Sequence, residues 1–171
     1  MEYLFIDWFN RVFHLNLRVN EFYLTSRKVS FLIRYEKMKQ YFLAFFTSLV
    51  IAFITAFVWH IVLFQKLYQE LGVLGRIEPN IPLGFIATLL LSVFLSYIYP
   101  KIMALRITSP IKSGMRFGIT IGILNIIFWV LKFAATQPVS SIPLFFIVES
   151  AFELIQLILM GISIAFVYSK K

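Results

Sequence analysis

The feature that most constrains this chain is a long apolar run, residues 143–168, that carries two carboxylates within it. A helix of this length measures roughly 40 Å and crosses a hydrocarbon core of about 30 Å with some tilt. Glu149, Glu153 and Gln156 recur at i, i+4 and i+7, so they share one face of that helix. Carboxylates on a spanning helix usually face a bundle interior or a wet cavity. The helix is therefore predicted to need companion helices.

Three further apolar runs are predicted to supply those companions: residues 41–64, 82–99 and 115–135. The hydrophobic fraction is 60%, whereas soluble domains average about 45–50%. We therefore predict an all-α polytopic membrane protein, with four transmembrane helices in an antiparallel bundle over residues 41–171. The chain has no Cys, and no Ser/His/Asp set, Walker motif or metalloprotease signature is visible. No catalytic activity and no cofactor are expected.

Residues 1–40 form a separate predicted segment at the cytoplasmic face. Polar residues fall on one helical stripe, which favours an amphipathic helix lying in the membrane interface. They are Asp7, Asn10, Arg11, His14, Arg18 and Glu21. However, residues 14–20 alternate strictly between polar and apolar, which is typical of a strand, and a hairpin with residues 29–35 stays open as the alternative. The segment is expected to anchor the chain at the membrane surface or to dock a partner.

The distribution of basic residues predicts the orientation in the membrane. If the N-terminus is cytoplasmic, only Lys66, Arg76 and Lys132 of the 16 Lys and Arg residues lie on the external side. This is the positive-inside pattern, so both termini are predicted to be cytoplasmic in a membrane like the bacterial inner membrane. The net charge of +8 then reflects topology, and the expected partner is the lipid bilayer rather than nucleic acid.

Small residues at four-residue spacing predict where the helices approach closely. Gly114, Gly118 and Gly122 form two overlapping GxxxG steps at the start of the third span. Similar stripes include Ala52 and Ala56 in the first span, and Gly84 and Ser92 in the second. Such faces pack within a chain or between chains, so a homo-oligomer or a larger membrane complex is expected.

Polar residues at matching depth predict an internal site in the external half of the bundle. The antiparallel arrangement places four further side chains near Glu149, Glu153 and Gln156: His60, Asn125, Trp129 and Lys132. Lys132 is expected to compensate one glutamate, while the other holds a proton. Such a site can carry protons, bind a cation or hold a polar head group, and the alternative is a set of interhelical hydrogen bonds. A structural role is favoured for His60, and no metal site is predicted.

Several short segments resemble an uncharacterised family of small bacterial four-helix membrane proteins, grouped only as a domain of unknown function. They are residues 56–59 (AFVW), Phe64, residues 67–72 (LYQELG) and residues 159–162 (LMGI). The resemblance covers residues 41–168 and implies a four-helix bundle, but no activity. The chain departs from the family in His60, where an aromatic residue is expected, and in its long N-terminal segment.

Two functions follow from these features. The favoured one is a non-catalytic accessory or scaffold subunit of a membrane assembly, because small-residue stripes and a docking segment occur without a catalytic motif. The alternative is a protein that binds and transports protons, ions or a small ligand at an intramembrane site formed by Glu149 and Glu153.

Overall fold

The computed structural model describes residues 2–73, 80–103 and 109–169, with side chains from Val29 onward. Its regular elements are α1 (Glu2–Phe57), α2 (Gln65–Glu70), α3 (Ile81–Met103), α4 (Pro110–Asn125), α5 (Leu131–Thr136) and α6 (Ile142–Ser169), with π-helical turns at Val58–Leu63 and Ile126–Val130. Within these residues there is no strand, so the all-α prediction is confirmed and the hairpin alternative is wrong.

Four helices in the described part of the chain are long and apolar enough to span a membrane. They are Val29–Leu63, Ile81–Met103, Pro110–Thr136 and Ile142–Ser169. Each contains most of one predicted span and extends beyond it at one end or both. The chain is therefore an integral membrane protein with a four-helix membrane domain.

The chain divides into two compact units, Met1–Lys39 and Gln40–Lys171. The first unit is helical from Glu2, and its side chains from Val29 to Lys39 are exposed. The polar stripe predicted between Asp7 and Glu21 lies outside the residues whose side chains are described, so its position at the interface stays a prediction. The second unit contains the bundle and all of the predicted site residues.

The closest helix pair in the second unit is α4 with α6. A Cβ on Gly114 would meet the backbone of Ile162, and one on Gly118 would meet the backbone of Ile158. On the opposing helix, a Cβ on Gly161 would lie 2.5 Å from the carbonyl oxygen of Gly114. Because three glycines remove side-chain bulk from this interface, the two backbones pack directly against each other.

α1 and α3 complete the core against α6. Ala44, Ser48 and Ala52 are fully buried at four-residue spacing, so the small-residue stripe of α1 faces the bundle. The hydroxyl oxygens of Ser48 and Ser96 lie 3.5 Å apart across α1 and α3. Hydroxyl contacts of this kind satisfy buried polar groups where no water competes.

The predicted second span ends at residue 99, immediately before Pro100, whereas α3 continues through Pro100 to Met103. A proline inside a helix cannot donate the hydrogen bond to the carbonyl four residues earlier, here that of Ser96. The Tyr168 hydroxyl donates to this carbonyl instead, at 3.0 Å. The last helix therefore satisfies the backbone group that Pro100 leaves free, and α3 need not stop.

The first span is interrupted near one end, which we call the Gly72 end of the bundle. The π-helical turn Val58–Leu63 precedes Phe64, whose φ and ψ of −121° and 15° are not helical, and α2 follows. Gly72, at a φ of +71°, ends α2 in the left-handed conformation typical of a helix C-terminus. Ser140 stabilises the C-terminal end of α2 through two hydrogen bonds. Its amide donates to the Leu71 carbonyl at 3.1 Å, and its hydroxyl donates to the Glu70 carbonyl at 2.9 Å.

Candidate intramembrane polar site

The polar face of α6 lies inside the bundle. Glu149, Glu153 and Gln156 are each no more than 8% exposed, although all three lie on a membrane-spanning helix. The i, i+4, i+7 spacing places them on the side of α6 that meets the other helices, followed by Met160, which is fully buried. Each polar group at such a position requires a partner, since lipid offers none.

Glu149 is held by a tyrosine that the sequence analysis did not single out. The Tyr68 hydroxyl donates to Glu149 Oε2 at 2.5 Å, and Trp59 Nε1 donates to the Tyr68 oxygen at 3.2 Å. Burial, and then the neighbouring Glu149 carboxylate, raise the pKa of Tyr68 well above its usual range. The hydroxyl therefore keeps its proton, and the donor direction runs from Trp59 through Tyr68 to Glu149.

His60 lies on the other side of Glu149. Its Nδ1 is 3.1 Å from the carbonyl oxygen of Ala56, and its Nε2 is 3.9 Å from Glu149 Oε2. The imidazole packs against aromatic rings, with centroid distances of 4.4 Å to Phe152 and 4.8 Å to Tyr68. About a third of the His60 side chain is exposed, whereas that of Glu149 is nearly buried.

The break at Phe64 brings His60 and Tyr68 together. In an unbroken α-helix, residues eight apart are separated by about 12 Å along the axis. The change of direction after the π-helical turn reduces the distance between their ring centroids to 4.8 Å. The predicted first span, residues 41–64, contains no such break and ends before Tyr68, so the prediction could not place Tyr68 beside Glu149.

Glu153 and Gln156 have separate partners on neighbouring helices. Asn125 Nδ2 donates to Glu153 Oε2 at 2.6 Å, which joins α4 to α6 one turn beyond Glu149. Gln156 Nε2 donates to the Ala52 carbonyl at 3.0 Å and lies 3.2 Å from the Thr55 hydroxyl oxygen. The glutamates thus have neutral hydrogen-bond donors, and among the described residues His60 is the group beside them that can supply a positive charge.

Trp129 and Lys132 do not join this site, contrary to the sequence prediction. Trp129 is 48% exposed, and Lys132 is exposed and makes no ion pair with any described residue. The reason is the π-helical turn Ile126–Val130, which adds one residue to the helical turn and rotates the face that Asn125 begins. Val130 and Ala134 occupy the buried positions instead.

The residues predicted to mediate packing fall into two groups. Gly114, Gly118, Gly122, Ala52 and Ser92 are buried within the chain, and Ala56 is half-buried beneath His60. Gly84 differs, because it is exposed and nothing lies within 4 Å of a Cβ placed on it. The close approach expected at Gly84 is therefore absent within the described chain.

The chemistry of the site is that of protons and hydrogen bonds. Its ionisable groups, His60, Glu149 and Glu153, lie toward the Gly72 end, whereas the opposite half of the bundle contributes hydroxyls such as the Tyr99–Ser113 pair at 2.8 Å. No group of three His, Cys, Asp or Glu side chains suited to a metal occurs among the residues that the structure describes. The imidazole and two carboxylates can gain and lose protons, and the carboxylates can also accept hydrogen bonds from a polar ligand.

No protein-family model, curated protein or solved structure matches the chain.

Proposed function

We propose that the protein is a non-catalytic accessory or scaffold subunit of a membrane assembly. The observation that supports this function is the unpacked half of α3 at the Gly72 end. The buried residues of α3, Ser92, Leu95, Ser96 and Tyr99, lie at its midpoint or beyond it, whereas residues 81–87 are all exposed. This exposed half presents Gly84 and Ala87 on one side of the helix.

Small residues on an exposed membrane helix favour a helical neighbour. Large apolar side chains make better contact with lipid chains, whereas small residues allow another helix backbone to approach. Gly84 has open space at its Cβ position, so it plays no such role within the described chain. A helix of a second copy or of another subunit fits this surface.

The first unit adds a second surface for assembly. Phe31, Leu32 and Ile33 are each more than half exposed, and Arg34 and Lys37 lie beside them on the same helix. A helical segment that combines exposed apolar and basic side chains suits the cytoplasmic membrane surface or an acidic partner there. This agrees with the predicted topology, in which the N-terminal segment is cytoplasmic.

Site-specific photo-crosslinking tests the accessory role. Because the chain has no native Cys, a single introduced Cys can be labelled specifically. A benzophenone maleimide would be attached to a Gly84→Cys variant in native membranes and activated by light. Ile86→Cys is the matched control, since residue 86 is turned about 200° from residue 84 on the same helix. We expect a discrete crosslinked species from position 84 that is much weaker from position 86. Equal yields, or lipid adducts alone at both positions, would contradict the proposal.

A second function, binding of a proton, cation or small polar ligand at Glu149 and Glu153, has its own support. Both carboxylates are buried in a membrane-spanning helix and receive hydrogen bonds from the neutral groups of Tyr68 and Asn125. Acids in such positions are costly and usually functional. Because the ionisable groups lie toward one end of the bundle, binding from that end is favoured over conduction through a single chain.

Reconstitution tests this second function. Purified protein in liposomes that contain a pH-sensitive dye would be exposed to a pH step, with and without a Glu149→Gln/Glu153→Gln double change. Glu70→Gln, at an exposed position on α2, is the matched control. We expect proton uptake by the protein without sustained flux, and loss of uptake in the double variant alone. Sustained flux would favour transport, and unchanged uptake in the double variant would refute a role for the two acids.

A further inference from the structure

The hydrogen bond at Nδ1 determines the protonation state of one His60 nitrogen. The carbonyl oxygen of Ala56, 3.1 Å away, can only accept, so Nδ1 carries a proton. A neutral imidazole with this tautomer has an unshared electron pair at Nε2. That nitrogen faces Glu149 Oε2 at 3.9 Å.

The opposing oxygen is also assigned by its contacts. Glu149 Oε2 accepts from the Tyr68 hydroxyl, whose own oxygen accepts from Trp59. Because an ionised carboxylate accepts such a hydrogen bond more strongly than a protonated acid does, this contact favours an Oε2 without a proton. If His60 were neutral and Glu149 ionised, an electron pair on Nε2 and one on Oε2 would face each other across 3.9 Å beside a nearly buried carboxylate.

We infer that His60 and Glu149 form a binding site for a single proton, held on His60 Nε2 as an imidazolium that faces the Glu149 carboxylate. This inference rests on the second function above, ligand binding at the acidic site, and names its ligand. The proton arrives from solution at the Gly72 end, through the exposed third of His60, and leaves by the same route.

The surroundings of His60 suit a positive charge. The rings of Phe152 and Tyr68 lie against the imidazole at 4.4 and 4.8 Å, within the range of cation–π contacts. Glu153, one turn beyond Glu149 on α6, adds a second acidic group. The other charged groups that the structure describes at this end of the bundle, Lys66 and Glu70 on α2 and Lys132 on α5, are exposed.

Proton binding is coupled to the position of α2. Tyr68 is buried and provides the side-chain hydrogen bond from α2 to α6, and its acceptor is the oxygen that faces His60. Without the proton, His60 and Glu149 repel each other and this contact weakens. α2 then relies on its remaining contacts, such as those of Ser140 with the carbonyls of Glu70 and Leu71. Its backbone should open more often as a result.

Nitrogen-15 NMR of labelled histidine in lipid bilayers tests the inference directly. The chain has two histidines, so a His14→Gln background leaves His60 as the single signal. At pH 7 we expect both ring nitrogens of His60 to be protonated. In Glu149→Gln we expect one proton, on Nδ1, whereas the matched control Glu70→Gln, at an exposed position on α2, should retain both. A singly protonated ring in the starting protein, or an unchanged doubly protonated ring in Glu149→Gln, would overturn the inference.

Two further measurements keep the inference testable if Glu149→Gln does not fold. In Tyr68→Phe the carboxylate remains, so His60 should stay doubly protonated while backbone amides of α2 exchange at least about tenfold faster than in Glu153→Gln. Equal exchange in the two variants would contradict the coupling. Infrared detection of a protonated Glu149 beside a neutral His60 would overturn the inference and leave the second function intact. Ionised glutamates beside a neutral His60 would refute the inference and exclude the proton as the ligand of the second function.

Discussion

Replacing single glycines by alanine should destabilise the bundle in a graded series. At Gly118 a Cβ would meet the Leu157 carbonyl oxygen and the backbone of Ile158, and at Gly114 it would meet the backbone of Ile162. At Gly122 the nearest atom is a side-chain carbon, Leu154 Cδ2, at 2.9 Å. At Gly84 the same change meets nothing within 4 Å.

The magnitudes follow from what must move in each case. Overpacking a well-packed core costs typically about 1–3 kcal/mol. We expect Gly118→Ala and Gly114→Ala to fall in the upper part of this range, because backbone atoms of α6 cannot rotate away. Gly122→Ala should cost less than about 1 kcal/mol, since a leucine side chain can change rotamer. Gly84→Ala should be neutral or slightly stabilising, because alanine has the higher helix propensity.

Unfolding of the purified variants in mixed micelles by titration with a denaturing detergent, followed by circular dichroism, would measure the series. Gly84→Ala is the matched control, since it makes the same chemical change on a helix of the same bundle. The packing argument would be refuted if Gly118→Ala and Gly84→Ala had equal stability. A larger loss at Gly122 than at Gly118 would also contradict it.

Three further predictions concern other parts of the chain. Tyr168→Phe should cost about 1 kcal/mol in the same assay, because it removes the donor to the Ser96 carbonyl, whereas Tyr97→Phe should not. Lys132→Met should change the free energy of unfolding by no more than about 0.5 kcal/mol, because the Lys132 ammonium makes no ion pair with described residues. A large loss of stability would indicate that Lys132 does interact with the acidic site. A reporter fused after Lys171 should be active only in the cytoplasm, as the distribution of basic residues predicts, and external activity would contradict the topology.

The sequence predicted the class of fold because the hydrophobic runs are long enough to leave no soluble alternative. The spacing of Glu149, Glu153 and Gln156 also indicated correctly that they share the face of α6 that meets the other helices. This prediction from residue spacing is correct because α6 is a regular helix from Ile142 to Ser169. Inferences drawn on regular helices need no knowledge of tertiary contacts.

The errors occur where a helix departs from regular geometry. A single π-helical turn, Ile126–Val130, moves Trp129 and Lys132 away from the face of Asn125. No residue type in this turn indicates that the helix departs from regular geometry there. The break at Phe64 brings Tyr68 to Glu149, although nothing in the local sequence resembles a helix stop. At Pro100 the error was the opposite one, because the predicted span ends before this residue and the helix continues through it. The hydrogen bond that Pro100 cannot make is replaced by one from Tyr168, 68 positions further along the chain. These features depend on tertiary packing, which composition and spacing do not contain.

The contact between Tyr68 and Glu149 is the basis of the internal site, and a double-mutant cycle tests it most directly. Stability would be measured for Tyr68→Phe, Glu149→Met and the double variant, with Tyr99→Phe, which lies in the opposite half of the bundle, replacing Tyr68→Phe in a control cycle. A hydrogen bond between these groups predicts a coupling of about 1–3 kcal/mol in the first cycle. The control cycle should be additive within about 0.5 kcal/mol. Additivity in both cycles would mean that Tyr68 does not hold Glu149, and would contradict the site as described.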